Sequence, residues 1–479
     1  MKIKKPLAIL LCASALLTSS LAACDTPDPT PNTYADDQFI LAGFWAPYEI
    51  TEDSFTTYKN CGLNTVQFTN HARDVSNAQA WAPTDPVMSA NRYYLGSELT
   101  KKSLEMCRKT GLNAILEDNG AWFDTGETPY STRESYAEYR DIIVGMHIAD
   151  EPSNANIPSY CTPSRVADYK ATYGNLPFII NLLPTTASVV SLATLDYQTY
   201  LQTYADNVLK NFSENPLVSV DYYPFHKYAY KRDGFIQPES EWLDCYEKVS
   251  SLAVQHNATM HYYIQSAESN EFVKSLSEID MRLQLYVGLC YGGTRFTYYC
   301  YSVPGNYSAE NGLSNPMYTA CLVDENNQPT HLYNYVKEIN AELQSFASAF
   351  KAYRFVRCMP VYTQDETSPY FRSELTVLRN QADFSDRKYV ESVTTAGSCL
   401  VGCFEREEDE AYMLVNYAYE SADDVCKATV RLKEGATHLA VYGGEGFDGT
   451  PIILKAEKGE CTVQMKAGEG KFIVPLCAK

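Results

Sequence analysis

From residue 38 onward, short apolar runs alternate with longer segments whose apolar residues recur at helical spacing. FILAGFWAP (39–47) leads into TEDSFTTYKNCG, where Thr51 suits a helix N-cap and Gly62 a helix stop. GLNTVQFTN (62–70) reads as a strand, SELTKKSLEMCRKTG (97–111) as a helix and GLNAILEDN (111–119) as the next strand. The two strands open alike, CGLNTVQF and TGLNAILE, each on a glycine that ends a helix, which is the signature of a repeated αβ unit. Further strands are expected at DIIVGMHIADEP (141–152), LPFIINLLP (176–184), PLVSVDYYPF (216–225), ATMHYYIQSAE (258–268) and GTRFTYYCYSVP (293–304), with helix-like segments between and after them. Eight strands and eight helices in about 310 residues predict a closed (β/α)8 TIM barrel over 38–352. An open doubly wound sheet would also alternate, but the chain has no Gly-rich phosphate turn.

After Phe350 the period changes. SCLVGCFERE, AYMLVNYAY, KATVRLKEG, HLAVYGG, CTVQMKAG and KFIVPLC are short, strand-like and separated by polar turns, which predicts a C-terminal all-β sandwich over 353–479. At the other end, the basic MKIKK and the short apolar stretch after it form an export signal over 1–23. It closes on Leu21-Ala22-Ala23-Cys24, which resembles the lipobox of bacterial lipoproteins and implies lipidation of Cys24; an ordinary cleaved signal is the alternative. The Pro-, Thr- and Asp-rich segment that follows Cys24, up to residue 37, reads as a tether, so the expected location is the cell envelope, with a membrane contact through the lipid alone.

Composition narrows the partners. A net charge of −20 repels phosphate backbones and argues against nucleic acid. No Walker loop, HExxH or paired CxxC pattern is present, so no cofactor or metal is expected. Thirteen cysteines remain beyond Cys12 and Cys24, an odd, scattered set without a disulfide framework. The 38 tyrosines and 19 phenylalanines serve packing for the larger part, and they also suit a cleft in which flat rings stack on sugars.

In barrels of this kind the chemistry sits where strands end. Those ends carry Trp45; Asn70 and His71; Glu117; Asp150 and Glu151; Asn181; Asp221, Tyr222 and Tyr223; Gln265, with Glu268 close behind; and Tyr299. Acids, amides and aromatics thus gather on one rim, as glycosidic cleavage requires: one carboxyl protonates the leaving oxygen while another attacks the anomeric carbon or activates water. Because neighbours on an extended strand point to opposite sides, only one of Asp150 and Glu151 is expected to face the axis. His147 lies inside the fourth strand, where a satisfied core histidine is expected.

GMHIADEPS, SVDYYPF, QLYVGLCYGGTRFTYYCYS and the helix LYNYVKEINAEL resemble the clan A glycoside hydrolases, nearest the family 42 beta-galactosidase-type barrel, over residues 38–350. That resemblance implies a carbohydrate substrate and makes Glu151 the acid/base, with Asp150 standing where the clan has an asparagine. It also implies a nucleophilic glutamate at the end of the seventh strand, where this chain has Gln265. Asp221 or Glu268 would have to supply that second carboxylate, while Trp45, Asn70, Glu117, Asp150, Tyr222, Tyr223, Gln265 and Tyr299 would bind substrate. The alternative is a glycan-binding lipoprotein built on a barrel that no longer hydrolyses.

Overall fold

A computed structural model describes residues 37–67 without Ala46 and Tyr48, 97–117, 136–225, the pieces 231–232, 235–236 and 238–239, then 241–269, 275–302, and 318–477 without 325, 420, 422 and 445. Cys24, Asn70 and the side chain of Glu117 lie outside the described residues.

Eight parallel strands close into a barrel: β1 (Ile40–Gly43), β2 (Thr65–Gln67), β3 (Asn113–Glu117), β4 (Ile143–Asp150), β5 (Phe178–Leu182), β6 (Leu217–Asp221), β7 (Thr259–Gln265) and β8 (Gly293–Tyr299). They follow one another around the ring, and β8 pairs with β1 to complete it. The connecting helices are α1 (Glu52–Asn60), α2 (Ser97–Thr110), α3 (Pro163–Tyr173), α4 (Tyr197–Tyr204), α5 (Glu241–His256), α6 (Glu278–Cys290) and α7 (His331–Lys351), with single-turn helices at Ile157–Tyr160 and Val189–Leu192. Between β3 and β4 the described residues show only the 3-10 turn Ala137–Tyr139, so the expected eighth helix is not seen among them.

Local chemistry sets the helix ends. The Thr51 hydroxyl accepts the Ser54 amide and caps α1, which has Glu52 and Asp53 in its first turn. Gly62 then reverses the chain at φ +79, where a Cβ would also press on Asn340 at 2.8 Å. A reciprocal capping box between Ser277 and Asp280 starts α6.

Beyond α7 the chain is antiparallel β. The strands are β9 (Arg354–Tyr362), β10 (Val390–Thr395), β11 (Ser398–Arg406), β12 (Asp409–Asn416), β13 (Cys426–Leu432), β14 (Ala436–Tyr442), β15 (Ile452–Lys455), β16 (Glu460–Met465) and β17 (Gly470–Cys477). A six-stranded sheet (β9-β11-β12-β17-β14-β15) faces a three-stranded one (β10-β13-β16). Strand alternation divides β11 cleanly. Cys399, Val401 and Cys403 fill the sandwich core, whereas Leu400 and Phe404 join the core of the barrel. Helix α6 is consequently covered on all sides, and every residue from Asp280 to Cys290 is buried.

Candidate active site

Site construction begins inside the barrel, at the level where β4 to β7 are in register. Asp150 pairs laterally with Asn181, Asn181 with Ser219, and Ser219 with His261. Fully buried parallel strands are normally apolar, so polar groups stacked at one level need partners, and they find one another. Asn181 Nδ2 donates to Asp150 Oδ1 (3.1 Å), and Ser219 Oγ donates to Asn181 Oδ1 (3.0 Å). His261 Nδ1 lies 3.1 Å from Ser219 Oγ, and its Nε2 lies 2.8 Å from Thr297 Oγ1 on β8.

Strand β4 stops at Asp150, and Glu151 adopts a left-handed φ of +48 while its amide donates to the Asn181 carbonyl (2.9 Å). That turn overrides the strict alternation expected from an extended strand: both acids act on Asp221, which is itself pushed well above the usual carboxylate range by burial, then by Glu151 and Asp150. Glu151 is exposed at the mouth, yet enough protein hems in its carboxyl that burial is the largest cause of a rise from 4.5 to about 7. The Asp150 charge adds to the rise, and side-chain hydrogen bonding with Asp221 opposes it. Among the described residues, no cation is one of the groups that shift either acid. Asp221 is 8% exposed, and its Oδ1 has no hydrogen-bond partner among the described residues. Two like-charged, coupled carboxyls of this kind hold at least one proton near neutrality.

The aromatic candidates divide. Tyr223 stacks on Tyr299 (centroids 5.0 Å apart, 29° between planes), and the Tyr299 hydroxyl meets that of Tyr318 at 2.7 Å. Trp45, with a left-handed φ of +60, packs on Tyr299 and Tyr318 at 5.6 and 5.8 Å. These rings form one cluster beside the acids, since Asp221, Asp150 and Glu151 all act on the buried Tyr223 hydroxyl. Tyr222 is a correction: it is buried and donates to Glu239 Oε2 (3.0 Å), the side of β6 opposite to Tyr223.

Two further expectations change. Gln265 is not free to bind substrate: Oε1 accepts the Phe225 amide (3.0 Å) and Nε2 donates to the Phe225 carbonyl (3.3 Å), which clamps the loop after β6. Glu268 is not brought to the acid cluster. Its Oε1 accepts from the Leu276 amide (2.7 Å) and lies 2.8 Å from His331 Nε2 at the start of α7, a loop fastening rather than a catalytic placement. Ser219, His261, Thr297 and Tyr318 were not among the expected site residues. His147 is buried, as expected for a core position, and its charge would disfavour protonation of His261.

No family model matches the chain, and no curated protein matches it in sequence. Solved structures do match. Gan42B, a GH42 beta-galactosidase, is 9% identical, with a TM-score of 0.51 over 93% of this chain and 99% of that one. An Anoxybacillus alpha-amylase is 8% identical (TM-score 0.45; 93% and 99% covered), and a GH30 endoxylanase from Clostridium papyrosolvens is 10% identical (TM-score 0.40; 92% and 97% covered). At these identities the likeness is one of fold. The chain has a closed (β/α)8 barrel followed by antiparallel β-sheets, and its fold is similar to that of the GH42 beta-galactosidase.

Proposed function

We propose that this protein is a glycoside hydrolase, exported and anchored through lipidated Cys24, that cleaves O-glycosidic bonds of an oligo- or polysaccharide with Glu151 as general acid/base. One observation carries the reading: three acids, Asp150, Glu151 and Asp221, converge at the barrel mouth, where burial first and the Asp150 charge second raise the Glu151 carboxyl to about 7. A proton donor to a leaving oxygen needs that value, and it needs the cleft access that Glu151 has.

Asp221 is the candidate nucleophile. Its unpartnered Oδ1 would bond to the anomeric carbon as Glu151 protonates the departing oxygen. Water, deprotonated by Glu151, would then release the sugar with net retention. Trp45, Tyr223 and Tyr299 would supply the sugar platform.

Gln265 favours a second reading, a glycan-binding barrel without turnover, because an amide at the end of β7 cannot attack an anomeric carbon. A panel of aryl glycosides and polysaccharides, assayed with wild type and Glu151→Gln, separates the two. Turnover by wild type, lost in the variant while binding persists, supports hydrolysis; binding by both without turnover by either overturns it. A Cys24→Ser variant tests the anchor: it should move from the membrane fraction to the soluble fraction, and unchanged fractionation contradicts lipidation.

A further inference from the structure

We infer that Thr297, His261 and Ser219 form a one-directional hydrogen-bond relay that locks the Asn181 amide with its donor end toward Asp150. It deepens the hydrolase reading, and its effect on turnover rests on that reading.

The direction follows from counting protons. Only the Nδ2 end of Asn181 can donate to the Asp150 carboxylate, so Oδ1 must face Ser219. Asn181 is 1% exposed, and its Oδ1 needs a donor that the Ser219 hydroxyl provides. Having given its single proton to Asn181, Ser219 Oγ can only accept from His261, which places the imidazole proton on Nδ1. His261 Nε2 is then an acceptor, and the Thr297 hydroxyl donates to it. Every bond therefore points the same way, from β8 toward β4.

The relay requires a neutral imidazole, because a second ring proton would oppose the Thr297 hydroxyl. The groups that face His261 are Ser219, Thr297 and Arg295, His147, and the Tyr263 ring at 5.0 Å. Burial first, then the charges of Arg295 and His147, hold its pKa well below the usual histidine value.

At the far end, the two amide protons of Asn181 serve two acids. One goes to Asp150, and hydrogen bonding from Asn181 also favours the ionised form of Asp221. A flipped amide would instead turn its oxygen on both carboxylates.

Two measurements test this, and neither needs turnover. Nitrogen NMR on histidine-labelled wild type, assigned with His261→Phe, should show the neutral Nδ1–H tautomer of His261 from about pH 5 to 8. An Nε2–H tautomer or an imidazolium would overturn the relay. In Ser219→Ala, which removes the acceptor of the Nδ1 proton, the same spectra should show that tautomer preference weakened. Ser219→Thr, which keeps the hydroxyl, should restore it. A folded Ser219→Ala protein with an unchanged tautomer preference would contradict the inference. A protein that hydrolyses nothing could still give both expected results, so failure here is distinguishable from failure of the hydrolase reading.

Discussion

The barrel mouth and the seam between barrel and sandwich are both lined by buried charge, but they treat it in opposite ways. In the seam, Arg282 on α6 reaches Glu342 on α7 (2.7 Å) and Glu278 (2.7 Å), while Tyr286 and the Gly444 amide also bond Glu342. Each charge has its opposite, and in the same seam Phe404 packs edge to face on both Phe350 and Phe472. At the mouth, Glu151 and Asp221 are influenced by each other and by Asp150, and no cation among the described residues is seen to shift them. Burying like charges together is unfavourable for folding. The comparison teaches where the molecule is built for stability and where it gives up stability for chemistry.

Substitutions can break that contrast. The largest effect expected is on activity: Glu151→Gln should lower kcat/KM about 10²–10⁴-fold, with an unfolding midpoint at neutral pH no lower than wild type. A variant that melts far below wild type would make Glu151 structural. In the seam the sign reverses. Arg282→Met strands Glu342 and should cost about 3–5 kcal/mol in denaturant unfolding, while turnover per folded molecule stays unchanged.

The pH dependence of stability sharpens the contrast further. The folded pKa of Glu151 is raised, from 4.5 to about 7. Its carboxyl is protonated in both states below the ordinary value, so it carries no penalty there. Between the ordinary value and about 7 the unfolded chain ionises while the folded one does not, so stability falls as pH rises through that window and then levels. Melting curves across the window should show this fall, and Glu151→Gln should flatten it. The smallest effect expected is at Glu268. Glu268→Gln keeps an acceptor for the Leu276 amide, so kcat should change little; a loss comparable to that of Glu151→Gln would return Glu268 to the catalytic set.

The barrel was legible because helix-stopping glycines and apolar runs recur in step, as in CGLNTVQF and TGLNAILE. Glu151 was legible as a carboxylate ahead of a proline at a strand end. The roles of Gln265 and Glu268 were not, because each is decided by partners distant in sequence, the Phe225 backbone and His331. Tyr222 and Tyr223 look equivalent as letters, and only the direction of β6 separates a wall of the cleft from a bond to Glu239. The relay did leave a signal. Asn181, Ser219, His261 and Thr297 are polar residues inside otherwise apolar parallel strands, and a buried polar position of that kind must have a partner. What the sequence could not show was that β-sheet register brings the first three of them level with Asp150.

The most direct test of a catalytic pair at the barrel mouth is mass spectrometry of the protein after reaction with a fluorinated glycoside that has a good leaving group and slows release of the sugar. The account predicts one covalent sugar per chain, carried on the peptide that contains Asp221. An adduct on another residue, or hydrolysis with inversion and no adduct, would contradict it.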